Sequence, residues 1–471
     1  MSEKKDTLSF EFKNGWEIVK EEEKKAVYAL SETYKSFLDQ GKTERECAEE
    51  IIKQAENNGY KNIEDFIEGK EKILSGTKIY ANNKGKAVAL FVVGQEPIEK
   101  GMHIVGAHID APRLDLKPFP LYEDGGLALL KTHYYGGIKK YQWTAMPLAL
   151  HGIVINKKGE KINIVIGEDE KDPVFFITDL LPHLAKNQNE KKLNEGITGE
   201  GLNILIGSIP YEDKEIKEKV KYNILKLLHD KYGIEEEDFL TAEIEVVPAS
   251  KAKDVGFDKS LVGAYGQDDR VCSYTAMKAI FDIDNPKKTA VTLLVDKEEI
   301  GSMGNTGMQS RFFENVVGEL VSLQSKDFNY LKVRRALANS KVLSADVGAG
   351  FDPNFPDVLD KRNAAFIGKG LLVSKYTGAR GKSGSNDANA EFLGTLRKIF
   401  NDDEVIWQIG ELGKVDQGGG GTIAYILANY GAEVVDCGVP LLSMHAPMEI
   451  ASKMDIYMAY KGYKAFLKAK K

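Results

Sequence analysis

Several apolar runs in this chain end on a residue that can bind a metal ion or move a proton. His108-Ile109-Asp110 follows Ile104–Ala107, and Glu298-Glu299 follows Thr289–Val295 and Asp296-Lys297. Asp346 follows Lys341–Ala345, and His445 follows Leu441–Met444. A further acidic pair, Asp268-Asp269, sits just before an expected helix. Imidazole nitrogen and carboxylate oxygen are normal zinc ligands. Asp110 can accept the second ring N–H of His108 and so fix its tautomer. Asp268 has two oxygens and can bridge two ions spaced about 3.5–4 Å apart, a clamp suited to hydrolysis. Adjacent residues in extended chain point to opposite sides. One of Glu298 and Glu299 can therefore bind metal while the other faces the attacking water.

Taken singly, each stretch has a plainer explanation. His108 can be satisfied by Asp110, Asp268 can cap a helix, and Glu298-Glu299 can be a solvated turn. Jointly, two histidines and three carboxylates suit two zinc ions sharing one bridging ligand, with a further glutamate as base. There is no Gly-x-Ser-x-Gly elbow and no His-Glu-x-x-His helix.

The elements that must position these residues alternate. Short apolar runs at Lys86–Gly94, Met102–Ala107, Thr289–Val295, Lys341–Ala345, Ala364–Val373, Glu404–Ile409 and Ala432–Cys437 read as strands buried on both faces. Helical spacing is found at Glu22–Gln40, Val271–Ile280, Asp387–Phe400, Thr422–Tyr430 and Ser452–Ala469, and Thr43 with Glu46 forms a capping signature. The fold class expected is α/β, with a mixed central sheet covered by helices on both faces. Open sheets of this kind place their sites at the carboxyl ends of strands. From about Phe119 to Pro248 the pattern turns to alternating, turn-rich stretches, with a charged exposed loop at Asn187–Glu200. We therefore expect a catalytic domain of residues 1–115 and 256–471, interrupted by a β-rich domain of residues 116–255.

At 471 residues the chain is long enough for two domains. Net charge is −7, with acidic and basic residues intermixed, so nucleic acid is a poor partner. The lysines of the C-terminal stretch Lys464–Lys471 suit the end of a last helix. Cys47, Cys272 and Cys437 are far apart and form no disulfide pattern. The charged start Met1–Asp6 is unlike a secretory signal, and no run approaches the ~18–20 apolar residues of a membrane span. A cytoplasmic protein is expected.

The motifs His108-Ile-Asp110-Ala-Pro112-Arg, Asp268-Asp-Arg, Asp296-Lys-Glu298-Glu299-Ile-Gly301-Ser, Ser344-Ala-Asp346 and Met444-His445-Ala-Pro resemble those of the aspartyl aminopeptidase and vacuolar aminopeptidase I family of co-catalytic zinc exopeptidases. The resemblance runs over nearly the whole chain in order. It implies that Asp268 bridges two ions, with His108 and Asp346 completing one site and Glu299 and His445 the other. It implies Glu298 as general base and Asp110 as the partner of His108. Zinc is the implied metal, with cobalt or manganese as substitutes, and the implied substrates are short peptides with a free N-terminus. It further implies that the inserted domain builds dimers and a tetrahedral dodecamer, in which His183 reaches a neighbouring active site. Lys375 stands where a lysine pairs with acidic substrates, although the sequence around it departs from the family pattern. The run Gln417–Thr422 lies, by the same resemblance, near the substrate and suits close backbone approach. Two other readings are a deacylase of N-acylated substrates and a non-catalytic scaffold.

Overall fold

The computed structural model describes residues 8–325 and 327–470; the charged start at Met1–Asp6 and the final Lys471 lie outside them. Its centre is a nine-stranded mixed sheet. In spatial order the strands are Lys61–Asn62, Lys78–Asn83, Ala87–Val92, Thr289–Val295, Met102–His108, Lys341–Ser344, Glu433–Gly438, Leu371–Ser374 and Trp407–Ile409. The four strands Thr289–Val295, Met102–His108, Lys341–Ser344 and Glu433–Gly438 run parallel to one another. Ala87–Val92, Met102–His108 and Thr289–Val295 are buried along their whole length, as their continuous apolar sequences require.

Alternation along each strand divides the core into two. Val105, Ala107, Leu343 and Val435 pack under helices Glu21–Gln40, Glu44–Asn57, Gln267–Phe281, Ala390–Asp402 and Lys453–Leu467. Ile104, Val342 and Val434 pack under Phe312–Gln324, Tyr330–Ala338 and Ala424–Ala428. Helices thus cover both faces, and the chain is mixed α/β with several sheets.

Residues Arg113 to Pro248 supply a separate six-stranded antiparallel sheet with its own apolar core around Trp143, Leu148 and Val246. Its long hairpin, Arg113–Asp124 with Leu127–Tyr135, begins before the boundary expected at residue 116. It also carries a helix, Lys219–Tyr232, which strand-like reading of the region omitted. The charged stretch Asn187–Glu200 is largely exposed but folds into short helical turns. A third, five-stranded sheet joins Lys253–Val255 and Leu261–Ala264 to Glu449–Ser452, Pro440–Leu442 and Gly348–Ala349. The strand expected over Ala364–Val373 forms only at Leu371–Ser374. Gly368 and Gly370 both take φ of 84°, and their N–H groups turn toward the buried Asp455 carboxylate at 2.8 and 2.6 Å.

A buried polar cluster joins the antiparallel sheet to the first helices. Arg113 lies 3.6 Å from Glu44, 3.1 Å from Glu245 and 2.8 Å from Asp115. Nearby, His151 sits between Glu46, 2.7 Å from Nδ1, and Glu168, 3.1 Å from Nε2. Lys42 reaches Glu168 at 2.5 Å and also donates to the carbonyls of Pro248 and Ser250.

Removing a cation from such a cluster leaves buried carboxylates without a partner. Arg113→Met should therefore destabilise the protein by about 3–5 kcal/mol in urea unfolding, whereas exchange of an exposed arginine such as Arg362 should have little effect. Burial disfavours the charged His151 ring, but the hydrogen bonds to Glu168 and Glu46 prevail and raise its pKa. A raised folded-state pKa stabilises fully below the unfolded value of about 6.5 and loses that stabilisation as pH rises through the folded value. Glu46, Glu168, Lys42 and the facing Glu245 set that response. His151→Gln should flatten the fall in urea midpoint above neutral pH.

Candidate metal centre

The parallel strands deliver their ligand-type residues to one place, at their carboxyl ends. His108 is the last residue of Met102–His108, and Asp346 comes two residues after Lys341–Ser344. Glu298 and Glu299 start a short 3-10 turn after Thr289–Val295, behind Lys297 at φ 66°. Asp268 follows Gln267 at the start of the helix Gln267–Phe281, with non-helical backbone, and is joined to Asp269 by a cis peptide bond. His445 lies between the strands Pro440–Leu442 and Glu449–Ser452, with φ of 64°. Positive φ in a non-glycine residue is unfavourable and persists where the surroundings hold it.

Asp268 occupies the middle. Its Oδ1 is 3.3 Å from His108 Nε2, and its Oδ2 is 3.1 Å from His445 Nε2. Beyond them, Asp346 and Glu298 each lie 3.9 Å from His108 Nε2, and Glu299 lies 3.6 Å from His445 Nε2. The donor atoms of His108, Asp268 and Glu299 all fall within 4.8 Å of one another, as do those of His108, Glu298 and Asp346.

Both imidazoles are held from behind. His108 Nδ1 faces Asp110, 3.1 Å from its carbonyl and 3.2 Å from its carboxylate, while His445 Nδ1 faces the Gly137 carbonyl at 2.8 Å. Each ring then presents Nε2 to the centre, the arrangement that fixes a metal-binding tautomer. Asp110 also accepts from the backbone N–H of Glu298 and Glu299 and from the Tyr135 hydroxyl. One carboxylate thereby positions His108, Glu298 and Glu299 together. Glu449 does the same opposite it, accepting from the N–H of Asp268 at 3.0 Å and of His445 at 2.7 Å.

The charges explain what the site needs. Burial pushes the Glu298 carboxyl up to about 7, with His108 opposing and Asp268 and Asp110 adding to the rise. Burial likewise raises Glu299 and Asp346 well above the usual carboxylate range. Burial opposes charge on the histidines, yet hydrogen bonds to Asp110 and Asp268 raise His108, and those to Asp268 with the charge of Glu299 push His445 up to about 10. A divalent cation held among these groups would compete with protons for them. Glu299 Oε1 is buried without a partner, and the donor set is imidazole and carboxylate throughout. The residues fit a divalent metal.

The chain matches the aminopeptidase I zinc metalloprotease (M18) family over residues 37–467. It belongs to that family. It is 58% identical over 457 residues to a probable M18 family aminopeptidase 1 of Clostridium acetobutylicum, covering 97% of this chain and 98% of the relative. The crystal structure of an M18 aminopeptidase from Thermotoga maritima superposes with a TM-score of 0.94 at 46% identity, covering 98% of this chain and all of that one. The S. cerevisiae mApe1 dodecamer shares the fold at 22% identity, with a TM-score of 0.76 over 95% and 98% of the two chains. This M18 protein is thus a metal-dependent aminopeptidase, and its substrates are peptides.

Of the residues singled out from the sequence, His108, Asp110, Asp268, Glu298, Glu299, Asp346 and His445 come together here. The other two do not join them. His183 is exposed on the turn Pro182–Leu184 of the antiparallel part. Lys375 follows Ser374, which faces the cavity, and turns away to pair with Asp387. Sequence reading missed Glu449, Tyr135 and Gly137. Glu449 had a signal, a carboxylate between apolar neighbours in a buried strand; the other two belong to the inserted region, where no ligand motif pointed.

Glu449→Ala should lower metal affinity about 10–100-fold, read by chelator competition, because it frees the backbone of two ligands at once. Exposing the wild-type M18 protein to a strong chelator should abolish peptidase activity and lower its melting temperature, and zinc should restore both.

Proposed function

We propose that this M18 protein removes the N-terminal residue of short peptides with two divalent ions, zinc by default. One observation carries the reading: the buried Asp268 turns one carboxylate oxygen to each of two histidines. His108 and Asp346 would complete one site, and Glu299 and His445 the other. Asp346 lies 3.9 Å from His108 and Glu299 3.6 Å from His445, close enough for each pair to share an ion.

When bound, the ions supply Lewis acidity that polarises the scissile carbonyl and acidifies water. The chain supplies the rest. Glu298, 3.9 Å from His108 and raised toward neutral pH by burial, takes the proton of the attacking water and delivers it to the leaving amine. Asp110 keeps Glu298 in place through its backbone N–H. The neighbouring cavity, of about 470 Å³, receives the first side chain. Gly419, Gly420 and Gly421 line it, so backbone can lie against the substrate.

We assign assembly to the antiparallel part, with a tetrahedral dodecamer as the end state. Leu180, Leu181, Leu184 and Leu193 are all exposed around His183, an apolar patch suited to a second copy. On such assembly His183 would approach a neighbour's site. Three buried free thiols support a cytoplasmic setting.

Glu298→Gln should lower kcat on dipeptides by about 10²–10⁴-fold with metal content unchanged. Acetylation of the peptide N-terminus should abolish turnover by the wild type. Cleavage of acetylated substrates in preference to free ones would indicate a deacylase instead.

A further inference from the structure

A second concavity meets the first at His445. Its volume is about 720 Å³, and it shares Ala349, Leu412, Met444 and His445 with the cavity assigned to the first side chain. The His445 side chain is 36% exposed. A peptide bond held at the metal centre can therefore have the residue before it in one concavity and the residue after it in the other. The lining of the second is apolar and reachable. Tyr141, Phe355, Val358 and Leu412 line it and are 41, 65, 41 and 38% exposed. Large apolar side chains left open around a concave site mark a surface suited to be covered. Lys139 and Asp352 add one charge of each sign to the lining, so neither an acidic nor a basic occupant is favoured.

The two aromatic walls are anchored from behind. Tyr141 lies on the 3-10 turn Lys140–Trp143 of the antiparallel part, and Trp143, two residues on, is fully buried in that part's core. Phe355 comes just before the turn Pro356–Val358. Its N–H donates to the Asp352 carbonyl at 3.0 Å, and the Val358 carbonyl accepts from the Lys414 N–H at 3.0 Å. Both walls are thus held before any peptide arrives, which lowers the cost of ordering them on binding.

We propose that this concavity takes the second side chain of the peptide and selects a large apolar one, with Tyr141 and Phe355 deciding the choice. This role rests on the aminopeptidase reading and deepens it, because the side chain concerned belongs to the portion that leaves and not to the residue released. Continuity with the metal centre through His445 and Met444 commits the surface to the substrate rather than to a second copy of the chain. The antiparallel part then contributes to specificity through Tyr141, besides holding His445 through the Gly137 carbonyl.

The test uses the metal-loaded full chain with Leu-Phe, Leu-Gln and Leu-Gly, which share their first residue. The wild type should cleave Leu-Phe with a kcat/KM about tenfold or more above that for Leu-Gln and Leu-Gly, chiefly through KM. Tyr141→Ala and Phe355→Ala should each lower the Leu-Phe/Leu-Gly ratio about tenfold, and Tyr141→Phe, which keeps the ring, should retain it. In Glu298→Gln, where turnover is slowed, calorimetry should show Leu-Phe binding tighter than Leu-Gly by a similar factor. Equal cleavage of the three dipeptides by the wild type, or a ratio indifferent to both alanine substitutions, overturns the proposal while leaving the peptidase reading intact. Light scattering on the same variants tests the other occupant: loss of assembly with the ratio unchanged would assign this face to a second copy and overturns the proposal. Absence of cleavage of every free-amine peptide overturns the peptidase reading, and this role with it. Should an alanine variant not fold, the wild-type ratio and the Glu298→Gln calorimetry decide, since binding Leu-Phe no tighter than Leu-Gly overturns the proposal.

Discussion

Carboxylates buried side by side cannot all carry charge unless something positive stands among them. Asp268, Glu298, Glu299 and Asp346 converge on His108 and His445 at the edge of an open cavity, with His108 and Asp268 buried. Much of the surrounding structure serves to hold that arrangement. Asp110 and Glu449 hold the backbone N–H groups of Glu298, Glu299, Asp268 and His445, and Asp110 also faces the His108 ring. At the positive-φ residues, Glu449 accepts the N–H of His445 and Asp296 that of Lys297. A divalent ion held by these residues would offset the repulsion and so couple metal binding to the stability of the fold.

The antiparallel part is more than an appendage to this centre. Tyr135 donates to Asp110, and the Gly137 carbonyl accepts from His445. Any side chain at Gly136 would press on Glu299, where a Cβ would come within 3.2 Å of its Cβ, and φ there is 73°. The Arg113 and His151 clusters fasten the same sheet to the first helices. A change in that sheet's seating therefore reaches the metal centre through two hydrogen bonds.

The strands that carry ligands were legible because burial on both faces demands continuous apolar runs, as in Thr289–Val295. Ends and exceptions were less so. Ala364–Gly370 is apolar enough for a strand, but its glycines turn toward Asp455, a partner some ninety residues away in sequence. Helices Phe312–Gln324 and Lys219–Tyr232 went unread, since neither carried the capping signature that marked Glu44–Asn57. Glu449 was passed over because what it accepts from is backbone, and backbone donors leave no trace in residue type.

By itself the sequence determined the identity of the chemistry: which residues can bind metal or move protons, and that they stand at the ends of buried strands. Those are local properties of residue type and periodicity. Tertiary structure alone decided how they meet. It set which oxygen of Asp268 faces which histidine, and sent Ser374 to the cavity and Lys375 to Asp387. Such choices depend on strand register and on distances between residues far apart in the chain, which no local pattern encodes.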